Sequence, residues 1–301
     1  MSPLDIQVLQ DQKALGILTA LLRKERIPHA LLLTGVEGIG KRTAALLFAM
    51  ACNCRRIADG EAAVSAGAGI EAVAGCSCRS CRKILSGSHP DIHRVAPSGR
   101  MIKIERVREL CHTLSMKPYE AGLRVVIMEE AQAMNPEAGN ALLKVLEEPP
   151  DRTLLVLTTR QTSDLLPTIV SRCRHIHFSP LDAADIEHLL ITAAHVDATS
   201  AGTVAALCGG SYTRALKWVD PKWLARRQWI ITALDQILSG DASRVHPWLL
   251  FSEMLARRKD LVEESLEIIT MWLRDLMVAR HAQAHVLNRD CLDALLRAAQ
   301  K

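Results

Sequence analysis

His29-Ala30-Leu31-Leu32-Leu33-Thr34-Gly35-Val36-Glu37-Gly38-Ile39-Gly40-Lys41-Arg42-Thr43 is the stretch on which the fold turns. Its first half is an unbroken apolar run closed by Gly35, the pattern of a parallel strand buried on both faces. Its second half spaces glycines ahead of a lysine. Such a loop lets backbone N–H groups wrap an anion, adds the dipole of the helix that follows, and brings Lys41 to the terminal phosphates. The pattern GxxxxGK[ST] holds until its last position, where Arg42 replaces the magnesium-ligating hydroxyl and Thr43 comes one residue late. Gly35, Gly38, Gly40, Lys41, Arg42 and Thr43 are the candidate nucleotide-binding residues, with ATP and Mg²⁺ as candidate ligands.

Further along, Arg124-Val125-Val126-Ile127-Met128 and Thr153-Leu154-Leu155-Val156-Leu157-Thr158 read as two more buried strands. Helical periodicity lies between them. Ile104, Val107, Cys111 and Leu114 share one face; Ala138, Ala141, Leu142, Val145 and Leu146 share another. Asn135-Pro136 starts the second of these helices and Pro149-Pro150 stops it. Alternation of this kind predicts a parallel α/β sheet covered on both faces. The strand of Val125 runs into Glu129-Glu130, the acidic half such a site needs: Glu129 beside the metal, Glu130 orienting an attacking water. A Glu-Glu pair carries the first carboxylate one methylene further than Asp-Glu, which with Arg42 favours weak hydrolysis or none.

Past Pro180 the strand signal ends. Short helices broken at Gly209-Gly210 lead to about Pro221, and helical pattern then continues to Lys301. All five tryptophans fall in this last third, the mark of a separately packed unit. The expected division is 1–180, 181–221 and 222–301. Residues 59–74, rich in Ala and Gly, read as a mobile loop.

Cys78-x-x-Cys81 has the spacing with which two thiolates grip one tetrahedral Zn²⁺. Cys76 stands closer to Cys78 than a second CxxC would place it, and a further ligand must come from Cys52 or Cys54. A closed four-sulfur site would staple the insertion around 52–81 and do no chemistry. Cys111, Cys208 and Cys291 read as buried thiols. The net charge of +4 is mild, and Arg257-Arg258-Lys259, followed by Asp260, Glu263 and Glu264, reads as a solvated helix face. Met1-Ser2-Pro3-Leu4-Asp5 does not begin a signal peptide, and no run is apolar enough to span a bilayer, so a cytoplasmic location with reduced cysteines is expected.

Arg172, in Leu165-Leu166-Pro167-Thr168-Ile169-Val170-Ser171-Arg172-Cys173, follows a short helix just outside the sheet, where an arginine could reach a neighbour's nucleotide. The ordered series of His29-Ala30-Leu31-Leu32, the phosphate loop, the cysteine cluster, Ser88-His89-Pro90-Asp91, Asn140-Ala141-Leu142-Leu143-Lys144-Val145-Leu146-Glu147-Glu148-Pro149 and Ser171-Arg172-Cys173 resembles the clamp-loader subunits of bacterial DNA polymerase III, of the AAA+ family. The resemblance spans residues 5–220 and reaches the tail only in plan. It implies an ATPase-like α/β domain with an inserted zinc module, a small helical lid, and a helical collar that oligomerises. Cys54, Cys76, Cys78 and Cys81 are then the zinc ligands, with Cys52 the alternative to Cys54. The implied partners are the gamma/tau and delta-like subunits, with the sliding clamp and primed DNA reached through the complex. The degenerate loop and intact Ser171-Arg172-Cys173 point to a non-motor member whose Arg172 acts in trans; Arg214, in the lid, falls one position later than the motor pattern sets its sensing arginine. Two alternatives stand beside this: an active motor using Lys41, Thr43 and Glu130, or a zinc-ribbon nucleic-acid module, against which the lack of a basic, aromatic-interleaved patch weighs.

Overall fold

Continuous apolar runs become the centre of a sheet because only a strand covered on both faces needs no polar alternation. In chain order the first part holds α1 (Lys13–Arg23), β1 (Ala30–Thr34), α2 (Lys41–Cys52), α3 (Arg55–Ala58), α4 (Arg79–Leu85) and β2 (Ile92–Val95). There follow α5 (Ile104–Leu114), β3 (Arg124–Met128), α6 (Pro136–Glu147), β4 (Thr153–Thr158), α7 (Pro167–Val170) and β5 (Arg174–His177). The computed structural model describes residues 13–24, 27–59, 69–239 and 245–299. The five strands are parallel in the order β2-β3-β4-β1-β5. Leu32 lies opposite Leu157 on one side and His175 on the other.

Side chains alternate between two cores, as the pleat requires. Leu31, Leu33, Val125, Ile127, Leu154 and Val156 pack under α1 and α2; Leu32, Val126, Met128, Leu155 and Leu157 pack under α5, α6 and α7. The helix starts follow their chemistry. Asn135 Oδ1 accepts from Ala138 N at 3.0 Å with Pro136 at the first helical position, while α2 opens from Gly40 at φ 91°. The edge strands escaped the sequence reading. In β2 and β5 only Val95 and Ile176 are buried, so both read as polar segments.

A buried polar staple ties β2 to β3. Asp91 accepts from the N–H groups of Tyr119, Glu120 and Ala121 at 2.8 Å each, and its carboxylate faces Arg124 Nε at 3.9 Å. Arg124 in turn donates to the last carbonyls of α5, at Thr113 (3.2 Å) and Leu114 (3.1 Å), where a cation suits the helix dipole. Burial pushes the Asp91 carboxyl up, but those three N–H groups and Arg124 outweigh it and hold the group below the usual carboxylate range.

The chain divides into Met1–Pro180 and Leu181–Lys301. The second unit is helical among its described residues: α8 (Ala183–Ala194), α9 (Ala198–Leu207), α10 (Tyr212–Trp218), α11 (Pro221–Ser239), α12 (Val245–Ala256), α13 (Val262–Ala279) and α14 (Leu292–Ala299). Trp218 and Trp223 stack at 4.6 Å, and Trp272 is wholly buried. Arg227, buried on α11, donates to Asp290 and Asn288, while Asp275 accepts from Leu287 N and Asn288 N. Two expectations need correcting. Arg257-Arg258-Lys259 lies at the turn after α12, not on a helix face, with Arg257 paired to Glu253 and Arg258 to Asp260. Cys111 and Cys291 are half-buried, whereas Cys208 is buried as expected. Of the loop expected over 59–74, residues 60–68 lie outside the described residues; Ile70–Val73 forms a 3-10 turn whose Ile70 and Val73 are buried in the core beside α2.

Candidate functional site

β1 delivers the phosphate loop at the carboxyl end of the sheet, where parallel α/β folds place their ligands. Gly35, Gly38 and Gly40 all have positive φ. At Gly35 a side chain is excluded outright: an added Cβ would lie 2.4 Å from the Phe178 carbonyl oxygen. Lys41 Nζ donates to the carbonyls of Gly35 and Val36, the latter at 2.7 Å. Burial is the main cause that lowers the Lys41 ammonium to about 8; Glu37 and Glu130 pull it up and Arg160 pushes it down.

The metal corner of the loop is filled by protein. Arg42 Nε lies 3.1 Å from Glu129 Oε1, and Arg94 donates to that same oxygen from Nη2 at 2.9 Å and Nε at 3.2 Å. Glu129 is buried and its Oε1 is shared by two guanidiniums, which compete with Mg²⁺ for this carboxylate as the side chains are arranged. Arg94, contributed by β2, was invisible to the motif reading. Its signal lies in the register, which sets Arg94 opposite Ile127, two residues before Glu129. Glu130 is exposed, with φ 50°, and its N–H donates to Thr158 Oγ1 at 3.1 Å. Thr43 is half-buried on the first turn of α2.

Arg172 lies two residues beyond the end of α7. Its Nη2 pairs with Glu147 at 2.8 Å and its Nη1 donates to the Thr168 carbonyl at 3.0 Å, so the guanidinium is held at the surface. The side chain remains 36% exposed, enough for a second partner to reach it. Its neighbour Cys173 is pushed up to about 11 by burial.

The structure brings Cys54, Cys76, Cys78 and Cys81 together, with their sulfurs all within 4.8 Å of one another and the Cys54–Cys76 pair at 3.6 Å. A zinc tetrathiolate with bonds near 2.3 Å has sulfurs about 3.8 Å apart, so the group fits a structural zinc. Cys54 and Cys78 begin the two short helices α3 and α4, which sets both thiols at one point. Cys52, half-buried in the last turn of α2, stays outside the group and is pushed up to about 12 by burial. Cys76, whose close spacing to Cys78 had weighed against it, is one of the four.

A family model described as DNA polymerase III, delta subunit, matches residues 10–182, more than half of the chain. The chain belongs to that family. Among curated members, subunit delta' of Bacillus subtilis is 39% identical over 170 residues, covering 56% of this chain and 48% of the relative. Subunit delta' of Pseudomonas aeruginosa is 39% identical over 186 residues, covering 61% of this chain and 53% of the relative. Subunit tau of Escherichia coli is 34% identical over 177 residues, covering 58% of this chain and 26% of the relative. The chain thus spans about half the length of the delta' relatives it matches. In this delta-family chain Arg214 lies over the ring of Trp218, 5.4 Å from its centroid, a cation–π contact within the second unit. Among the described residues no helix is long and apolar enough to cross a membrane.

Proposed function

We propose that this chain is the delta-prime-like, non-motor subunit of a DNA polymerase III clamp loader, acting within a complex that loads the sliding clamp onto primed DNA. The observation that carries the reading is the pairing of Arg42 and Arg94 on Glu129. A motor needs that corner for a divalent cation; here two guanidiniums stand in it, so the chain's own loop turns over little ATP or none. Arg172 then has its use in trans. Swinging from Glu147, its guanidinium would stabilise charge developing on the nucleotide of the adjoining gamma/tau-like subunit. The four cysteines hold zinc as a staple, and the cytoplasm is the compartment in which such a complex works.

The second unit supplies a lid over 181–221 and an assembling collar over 222–301. Leu266, Leu273 and Met277 form one stripe along α13, exposed by 55%, 48% and 75%, the pattern of a helix face kept for the corresponding helices of sister subunits.

Two measurements test this reading. Purified chain assayed alone should show no appreciable Mg-ATP hydrolysis; turnover abolished by Lys41→Ala would overturn the silent-site assignment. In a reconstituted clamp loader, Arg172→Ala should lower clamp-stimulated ATPase by about 10³-fold at the site it serves, the lower end for such fingers. An unchanged rate would remove Arg172 from the mechanism.

A further inference from the structure

The folded cysteine module gathers cations that lie far apart in sequence. Arg55 and Arg56 open α3 directly after Cys54; Arg79, Arg82 and Lys83 lie on α4 directly after Cys78. Because the two cysteines meet in one cluster, the two helices start from one point and set their basic residues side by side. A cavity of about 210 Å³ opens there, lined by Arg55, Arg79, Lys83 and the buried His89 together with Cys54 and Glu120. Lys83 is tied to Glu120. Arg55, Arg56, Arg79 and Arg82 are exposed, and among the described residues none of them forms a salt bridge. Asp59 lies beyond the far end of α3, and its backbone N–H bonds back to Arg55.

We propose that this module carries a binding surface for the phosphate backbone of nucleic acid, with Arg55 and Arg79 gripping one phosphate at the cavity and Arg82 the next. The guanidinium fork matches phosphate oxygens two at a time, and arginine predominates where such recognition is made. An acidic peptide offers carboxylates of similar shape but needs apolar pockets or anchors to bind well. The only large apolar side chain exposed on α4 is Leu85, at 37%, and no aromatic residue occurs in α3 or α4. Without aromatics the surface stacks no bases, so it tracks the backbone and is indifferent to sequence. A buried zinc tetrathiolate would itself attract cations, and the test separates that role from this one.

The experiment is fluorescence anisotropy of labelled mixed-sequence duplex and single-stranded DNA with the zinc-loaded full chain, over a range of salt. Binding should weaken linearly in log salt. The double variant Arg55→Gln/Arg79→Gln should weaken duplex binding about tenfold and flatten the salt slope by close to the roughly 0.9 expected for each lost phosphate contact. Zinc content and melting temperature are measured on every variant. Should the double variant lose zinc, Arg82→Gln, whose side chain does not line the cavity, carries the test and should flatten the slope on its own. Wild-type affinity and slope in Arg82→Gln together with zinc loss in the double variant would assign the arginines to the metal alone and overturn the proposal. So would a chain that binds inorganic pyrophosphate but neither form of DNA.

Discussion

Arg42 stands next to the lysine of the phosphate loop and pairs with Glu129, so one residue both takes the place of a ligating hydroxyl and competes for the neighbouring carboxylate. Arg94 adds a second competing cation from a different strand. Replacing Arg42 by Ser and Arg94 by Ala should therefore free the carboxylate. The double variant is expected to bind Mg-ATP at least tenfold more tightly than the parent chain, about 1.4 kcal/mol by calorimetry; equal affinity would mean the loop is closed for another reason. Asp91 is the second residue with consequences out of proportion to its size. Asp91→Asn turns an acceptor of three N–H groups into one that also presents an NH₂, at a cost of about 3 kcal/mol in denaturant melts. The sign with pH follows from its depressed titration. An unfolded aspartate titrates near 3.9, so the Asp91 contribution is complete above about pH 4 and is lost as pH falls through the lower folded value. The stability gap between the chain and Asp91→Asn should stay level from about pH 5 to 8 and narrow below about pH 4.

At the level of elements, what the sequence revealed was set by burial on two faces. β1, β3 and β4 are buried along their whole length, so they read as apolar runs whatever their neighbours. β2 and β5 close the sheet at its edges, and Ile92-His93-Arg94-Val95 and Arg174-His175-Ile176-His177 carry polar residues where solvent meets them. The same cause hid Arg94, and with it half of the charge around Glu129. The phosphate loop, Arg172 and the cysteines were legible as local strings. The choice between Cys52 and Cys54 was not, because it depends on where α2 ends: Cys52 closes the helix, while Cys54 begins α3 and faces the other sulfurs. Cys81→Ser should drop metal content from stoichiometric to near zero by elemental analysis and raise protease cleavage within 52–85; Cys52→Ser should leave both unchanged. For the loop, Gly35→Ala forces a Cβ into the Phe178 carbonyl at a φ of 135°, and a loss of about 3 kcal/mol is expected from thermal melts.

On the scale of the molecule, the second unit presents its exposed stripe on α13. Leu273→Glu puts a charge into the exposed stripe of α13 and should abolish assembly with sister subunits in size-exclusion chromatography while shifting the melting temperature by no more than about 2 °C. The cysteine insertion looks independent on paper, since its first and last sulfurs meet and a short turn could bridge the gap. Its interior says otherwise. Ile70 is fully buried against α1 and α2 and its N–H donates to Thr19 Oγ1 at 3.1 Å, while Asn53, one residue before the first thiol, clasps Leu123 at the start of β3. Anyone trimming the chain to a minimal scaffold would thus be removing a wall, not an ornament: deletion of the segment would strip the outer cover from α1 and α2 and leave a greasy, aggregation-prone remnant in place of a smaller domain.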